Sequence, residues 1–366
     1  MRVLINMPSQ YAGRPSGVAL LIFCLLEALL ARGDAEYVLR SPWRREDLPQ
    51  GLQTRRLEVV VTPRPRIMVL DVFLQSLKVG WLCRKRGIDV VLNADPFGAA
   101  TGGRARVTVV HDLYFVSLRQ QLGWRAVLTM GLVHRWVLRG SARIVTISNA
   151  TRADLASWRP RHARKATTIY PAAVMADQAP PEGRARQDPY VLLVGNATPN
   201  KNFKVAARAV AGLGLRHPDL GIVHVGADPG ETVRAELQAL GADTALERLV
   251  DVDEARLRAL YRDAVCLAVP SLGEGFCLPI LEAQSQGCPV ICGDVSAMPE
   301  IAGDGALLFS PTEPGALAAH IEALLTDSGL RERLAAAGHR NRSRFSWADS
   351  ASRYHAVLVD ALKEAG

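Results

Sequence analysis

What this sequence lacks narrows its class before any motif is read. It has no internal repeat, collagen-like period or long low-complexity tract, which excludes solenoid, fibrous and largely disordered proteins. No helix-turn-helix cue, zinc finger or RNP-like aromatic strand is present, so nucleic acid is not an expected partner. The six cysteines are not spaced for zinc: Cys288 and Cys292 enclose C-P-V-I-C with no histidine nearby. With Cys24, Cys83, Cys266 and Cys277 they sit mostly in apolar runs and read as reduced core thiols, pointing to a cytoplasmic protein. The run GVALLIFCLLEALLARG (17–33) is too short to span a bilayer. It also fails as a signal sequence, because it begins too late, carries Glu27 and follows a strand-like VLINM. We read it as a buried helix. Being apolar on every side, it leaves a lipid-facing or acceptor-facing role open.

What is present suits a chain with a substantial core. The 366 residues are 49% hydrophobic and 22% charged, which suggests two globular domains. The net charge of +8 is uneven: residues 1–180 hold 26 Lys+Arg against 12 Asp+Glu, and the remainder hold 18 against 24. A basic first half calls for an anionic partner, with a membrane face or a phosphorylated substrate ahead of nucleic acid.

Short β-type runs alternate with helical ones. VLINM (3–7) precedes the 17–31 helix, VVL (90–92) and VTVVHD (107–112) follow, and a helix over about 124–139 leads to RIVTIS (143–148). Residues 171–189, with four prolines, read as a linker. Alternation resumes with YVLLVGN (190–196), GIVHVGA (221–227), VCLAVPS (265–271) and PVICGD (289–294), with helices over about 201–213, 230–240 and 253–263. Closing helices fall at about 314–325, 329–338 and 347–363. Apolar, β-branched strands alternating with helices predict parallel sheets covered on both faces. The expected division is 1–172, a linker 173–189, a second domain 190–345, and a helix 346–366 packing back toward the first domain. With two doubly wound domains, the cleft between them is the default ligand site.

Three constellations could carry chemistry. In GEGFCLPILEAQSQGCPVI (273–291), Glu274 lies on the loop after a strand and Glu282 in the first turn of a helix that Pro279 helps to start. The amides from about Phe276 to Ile280 form an anion site, and carboxylates beside it would accept from sugar hydroxyls. Against this stands a plain helix-dipole role for Glu282 and a solvated Glu274. In GNATPNKNF (195–203), Lys201 is placed to neutralise a phosphate, unless it is one more solvated lysine. At the end of VTVVHD, His111 could meet a sugar hydroxyl or serve only the core. The pair in D-V-D (251–253) resembles a metal-binding motif, but Asp253 precedes a helical run and reads as its N-cap.

Taken together these motifs resemble glycosyltransferase family 4. The E-x7-E run EGFCLPILE, with VPS ahead and GCPVICGDVSAMPEIAGDGALLF behind, is similar to that family's signature. SGVA (16–19), VTVVHDLYF, RIVTISNATRADL and VGNATPNKN also resemble its patterns, so the likeness spans nearly the whole chain. The resemblance implies the GT-B architecture, two Rossmann-like α/β domains facing a cleft, and a retaining, metal-independent hexosyltransferase. It implies that Glu282 binds the donor ribose and that Glu274 holds hydroxyls of the transferred sugar. The amides of Phe276, Cys277 and Leu278, in the loop with Gly275, would hold the diphosphate, and Lys201 would neutralise the leaving nucleoside diphosphate. His111 would contact the sugar near its reacting face, and Gly17 would let backbone approach the diphosphate. Two positions depart from the family: Asn196 stands where many members carry Arg, and Cys277 where Gly is common.

The expected activity is therefore transfer of a hexose from a GDP- or UDP-linked sugar, with GDP-mannose the first guess, to a saccharide acceptor carried on lipid. Polysaccharide or lipopolysaccharide synthesis is the setting implied. No cofactor or metal is expected. RPRIMVLDVFLQSLKVGWLCRKR (64–86) mixes apolar residues with a basic end, as an interfacial helix would, and suggests peripheral contact with an anionic membrane. A sugar-nucleotide epimerase of the same architecture and a silent sugar-nucleotide-binding protein are the alternatives.

Overall fold

A computed structural model describes residues 1–10, 13, 15–62, 68–95, 97–175, 186–242 and 244–366, with side chains of the helix Met68–Arg86 described from 74 onward. The chain divides into two units, Met1–Val174 with Phe345–Gly366, and Met175–Arg344. Most of the 173–189 linker lies outside the described residues.

Among the described residues, the first unit contains β1 (Arg2–Asn6), β2 (Glu36–Ser41), β3 (Leu57–Val61), β4 (Val90–Asn93), β5 (Ala105–Val110), β6 (Arg143–Thr146) and β7 (Ala166–Thr168). They form one parallel sheet in the order β3-β2-β1-β4-β5-β6-β7. Val3, Leu4, Val90, Val91 and Val107 are fully buried, as strands covered on both faces require. The order reverses between β1 and β4, so the loops after these strands diverge and leave a crevice at their carboxyl ends.

The helix Gly17–Arg32 is capped by Ser16, whose Oγ accepts from the Ala19 amide at 3.1 Å, and is closed by Gly33 in the left-handed region. Its uniformly apolar sequence has a packing cause. The C-terminal helix Trp347–Glu364 lies against it and also contacts β4 and β5, burying Leu21, Ile22, Leu25 and Leu29. The lipid-facing role left open for 17–31 is therefore corrected, because protein covers that surface. Trp347 Nε1 donates to the Ala173 carbonyl at 2.9 Å, Ser350 Oγ to Tyr170 at 2.6 Å and Arg353 Nη2 to Thr168 at 2.7 Å. These bonds occupy carbonyls around the end of the edge strand β7 and make the C-terminus part of this unit.

The second unit contains β8 (Tyr190–Val194), β9 (Gly221–Val225), β10 (Leu246–Leu249), β11 (Cys266–Val269), β12 (Val290–Gly293) and β13 (Ala306–Phe309), again parallel, in the order β10-β9-β8-β11-β12-β13. The same reversal falls between β8 and β11. Its core joins Val191, Leu193 and Ile222 of the sheet to Phe203, Val210 and Leu213 of the helix Phe203–Leu213. Each such side chain stabilises the fold by about 1.5–3 kcal/mol through removal from water. All six cysteines are free thiols and five are buried.

Candidate functional site

The residues singled out in the second unit converge on its strand-order reversal. β8 ends at Val194, and Gly195 (φ 117°) and Gly226 (φ 149°) follow β8 and β9. A Cβ on Gly226 would lie 2.2 Å from the Gly195 carbonyl oxygen, so only glycine lets these two strand ends approach so closely. The chain then makes a 3₁₀ turn over Pro199–Lys201 and enters the left-handed region at Asn202. Asn202 Nδ2 donates to the carbonyls of Pro270 (3.1 Å) and Pro311 (2.7 Å), and the Leu272 amide donates to Asn200 (2.7 Å). The turn after β8 is thus tied to the loop after β11 before any charged group is considered.

Across that junction Lys201 Nζ donates to Glu274 Oε1 at 2.7 Å, and Ser271 Oγ donates to the same oxygen at 2.7 Å. The Lys201 side chain is 19% exposed and that of Glu274 8%, so water screens the pair weakly. Burial pulls the Lys201 ammonium downward, but the Glu274 carboxylate and its hydrogen bond outweigh it and hold the pKa above its ordinary value. Lys201 is therefore a fixed cation. The Glu274 backbone is held as well: Ser296 Oγ donates to its carbonyl at 2.7 Å and faces its amide at 3.3 Å. Neither solvated alternative holds for these two residues.

Cys277 precedes the helix Leu278–Ser285 with φ 75° and ψ 69°. That is the left-handed region, where a side chain costs about 1–2 kcal/mol relative to glycine. A glycine would fit here without strain; the cysteine side chain is buried. Burial first, then the Glu274 carboxylate, raise its thiol well above the ordinary value while Lys201 pulls the other way. It is a protonated thiol and a poor nucleophile.

Two expectations about this helix need correction. Glu282 lies in the second turn, not the first, because the helix begins at Leu278. The Ile280 amide is spent on the Cys277 carbonyl at 3.1 Å and Pro279 has none, so the run of amides is shorter than expected. Among the described residues, the amides of Cys277 and Leu278 meet no acceptor. The side chain of Phe276 is buried. Glu282 Oε2 accepts from the hydroxyl of Tyr261 at 2.9 Å, and burial raises its pKa while that bond lowers it. Asn196 turns its Oδ1 to the Ala227 amide at 3.0 Å, so it braces the loop after β9. Asp253 accepts from the Arg256 amide at 2.7 Å and caps its helix.

In the first unit, Gly17 is the first residue of its helix, and among the described residues nothing lies within 4 Å of a Cβ placed there. His111 follows β5 directly and is buried. Its Nε2 lies 2.7 Å from the Ala94 carbonyl, which can only accept, so Nε2 carries the proton and Nδ1 presents a lone pair. Burial lowers its pKa, against that hydrogen bond, and keeps the ring neutral. Nδ1 has no partner among the described residues. The ring borders a cavity of about 20 Å³ lined by Leu21, Ile22, Trp347 and Tyr354. His111 can therefore accept from a hydroxyl.

Around the β1/β4 reversal lies a buried amide network that the sequence did not announce. Asn6 Nδ2 donates to Asn93 Oδ1 at 3.0 Å, Arg40 Nη1 donates to Asn6 at 2.9 Å, and Asn93 Nδ2 donates to Thr108 at 3.1 Å. Asp95 accepts from the Ser9 amide and hydroxyl and from the Phe97 amide. Burial still outweighs these bonds and raises its pKa to about 6. Ser271, Ser296, Asn202 and Tyr261 also escaped sequence reading. Only Asn202, beside the lysine in a turn, carried a usable signal, since asparagine tolerates the left-handed region.

Two Rossmann-like parallel sheets, each with its candidate groups at the strand-order reversal, define the GT-B class of glycosyltransferase folds. Two family models match consecutively, Glycosyltransferase Family 4 over 15–177 and Glycosyl transferases group 1 over 175–341. The chain belongs to this glycosyltransferase family, as its E-x7-E run suggested. It is 34% identical over 163 residues to O-antigen chain mannosyltransferase B of Escherichia coli, covering 43% of this chain and 42% of that protein. It is 33% identical over 181 residues to D-inositol 3-phosphate glycosyltransferase of Corynebacterium glutamicum, covering 47% and 43%. The matched region thus spans less than half the length of these curated relatives. Among solved structures, sucrose-phosphate synthase from Thermosynechococcus elongatus superposes with a TM-score of 0.79 at 20% identity, covering 100% of this chain and 99% of that one. Anabaena HepE in complex with UDP and glucose gives 0.76 at 16% identity, covering 98% and 99%. At these identities the likeness shows the fold.

Proposed function

We propose that this protein is a retaining, metal-independent hexosyltransferase that moves a sugar from a nucleotide donor to a saccharide acceptor carried on lipid. The observation that carries the reading is the Lys201–Glu274 pair, desolvated and fixed where β8 and β11 diverge, beside the open amides of Cys277 and Leu278. As the bond between the anomeric carbon and the diphosphate oxygen breaks, its electron pair passes to the diphosphate. A preorganised cation stabilises that charge with no reorganisation at the moment of reaction. On this reading Lys201 meets the developing charge and Gly17 leaves room for backbone to approach the diphosphate. The Cys277 and Leu278 amides bind its oxygens, and Gly275 and Phe276 shape the loop that presents them. Glu274 positions sugar hydroxyls, Glu282 a ribose hydroxyl, and neutral His111 accepts from a hydroxyl of the sugar. Because Lys201 supplies positive charge where the diphosphate would sit, and Asp253 spends its carboxylate on a helix cap, the chemistry is assigned to protein groups.

Mannose from GDP-mannose is the first donor to test, supported by the mannosyltransferase relative; the HepE complexes with UDP and UDP-glucose support a UDP-sugar as the second. Polysaccharide or lipopolysaccharide assembly in the cytoplasm is the proposed setting, supported by the O-antigen relative and the fold shared with WaaG. A thermal-shift panel of GDP, UDP, ADP and CMP, with and without EDTA, tests the donor site. One nucleoside diphosphate is expected to raise the melting temperature, unaffected by EDTA. No shift with any of the four would sink the assignment. Donor turnover without acceptor would favour an epimerase.

A further inference from the structure

The second unit exposes its large apolar side chains singly, whereas the first, apart from Val61 on β3, gathers them on two helices that pack against each other, Met68–Arg86 and Trp124–Arg139. On Trp124–Arg139, the side chains of Trp124, Leu128, Leu132 and Trp136 recur every four residues and form one stripe along the helix. On Met68–Arg86, Leu74, Leu77 and Trp81 share a face. These seven are between 41% and 71% exposed, far from the scattered single residues that need no explanation.

The charge on the described side chains of these helices is of one sign. Arg125, Arg135 and Arg139 are exposed on the first helix, Lys78, Arg84 and Lys85 on the second, and neither 113–153 nor 74–86 contains an Asp or Glu. Arg125 stacks 5.3 Å from the Trp124 ring and Lys85 4.9 Å from that of Trp81, so basic head groups lie beside the aromatic anchors. A groove of about 520 Å³ opens next to Trp81, lined by Leu77, Arg84, Thr101 and Arg104 among others. No helix among the described residues is long and apolar enough to cross a membrane.

We propose that the exposed face of Trp124–Arg139 and Met68–Arg86 docks the protein on an anionic phospholipid surface, with tryptophan and leucine side chains in the headgroup boundary and arginine and lysine at the phosphates. A second copy of this chain fits poorly. An isologous contact would set like charges against each other, and the described side chains of the face supply no carboxylate to answer them. The acidic balance of the opposing lipid answers all of them. This goes beyond the segment 64–86 singled out in the sequence, because the longer apolar stripe lies on the other helix. It rests on the lipid-linked acceptor reading for its use, though not for its geometry.

The test is cosedimentation of the full chain with phosphatidylglycerol-containing vesicles and with pure phosphatidylcholine vesicles, without donor or acceptor. Binding is expected on the anionic vesicles, weakened by salt, with a blue shift of tryptophan emission. Arg125→Glu with Arg135→Glu should lower the partition constant at least about twentyfold, roughly fivefold for each arginine removed. Leu128→Asp with Leu132→Asp should abolish the blue shift, and Leu240→Asp in the second unit should change nothing. Equal binding to neutral vesicles, salt-independent binding, or variants that bind like the wild type would overturn the proposal. So would a dimer broken by the Asp pair with no vesicle binding. Binding lost while transfer to a soluble acceptor survives sinks this inference alone. Transfer absent while vesicle binding persists sinks the functional reading alone.

Discussion

The two units share one winding order and differ in what they place at its reversal. In the second, the crevice between β8 and β11 holds a buried cation–carboxylate pair cross-braced by Asn202, Ser271 and Ser296. In the first, the ends of β1, β4 and β5 hold amides, the Arg40 guanidinium, a neutral histidine and a carboxyl whose pKa is raised to about 6. Overall charge runs the other way: the first unit carries 28 Lys+Arg against 14 Asp+Glu, the second 16 against 22. The basic unit keeps most of its charge on the surface and buries the Arg40 guanidinium among amides. The acidic unit buries the Lys201 ammonium beside the loop that follows β11. Topology therefore supplies the place, and local burial decides whether a fixed charge stands there.

Breaking the pair is the sharpest way to test this contrast. Lys201→Ala should lower kcat by about 10²–10³, the size expected when a preorganised electrostatic contact is lost, measured with the donor that the thermal-shift panel selects. It should also destabilise the second unit by about 3 kcal/mol, since it leaves a buried carboxylate without its cation. Lys201→Ala with Glu274→Ala should recover part of that stability, read by circular dichroism, while transfer stays lost.

The first unit should show its character through pH. All six tryptophans lie in it, so their fluorescence follows its unfolding. The folded pKa of Asp95, about 6, is above the ordinary value of an aspartate, so the folded state keeps a proton that the unfolded chain releases. The stability this group carries is complete below the lower value and is lost as pH rises through the higher one. Urea unfolding should show a loss of about 3 kcal/mol across that window, and Asp95→Asn should flatten it. A wild-type profile as flat as the variant's would remove the contrast between the two crevices.

Smaller effects separate the helix start from its flank. Tyr261→Phe removes the donor to Glu282 and should cost about 1–3 kcal/mol, with a raised KM for the donor and little change in kcat. Cys277→Gly should be more stable than Cys277→Ala by about 1–2 kcal/mol, because both remove the thiol and only glycine accepts the left-handed backbone freely. An alanine variant as stable as the glycine variant would mean that the loop relaxes out of that conformation.

Much of the fold was legible because its strands are buried on both faces. VLINM, VTVVHD, YVLLVGN and VCLAVPS all correspond to strands, and the helix 124–139 has the bounds expected of it. β2, β3, β7, β10 and β13 went unread, since EYVLRS, LEVVV and LERL carry charges along an edge or its neighbour, and β7 and β13 are edge strands of three and four residues. In the site, Glu274, Lys201 and His111 drew attention through their places at strand ends. Tyr261 and Ser296 did not, because each acts through a contact with a residue more than twenty positions away.

By itself, the sequence determined the alternation of strand and helix, the charge asymmetry, the capping by Asp253 and the E-x7-E loop. All of these rest on neighbours close along the chain. Only the tertiary structure decided that Lys201 meets Glu274 across 73 positions, that Glu282 meets Tyr261, and that Gly17–Arg32 is covered by the C-terminal helix while Trp124–Arg139 keeps an apolar stripe in solvent. The reason is physical. Periodicity states which side chains need burial, but the winding of the sheet chooses which of them receive it.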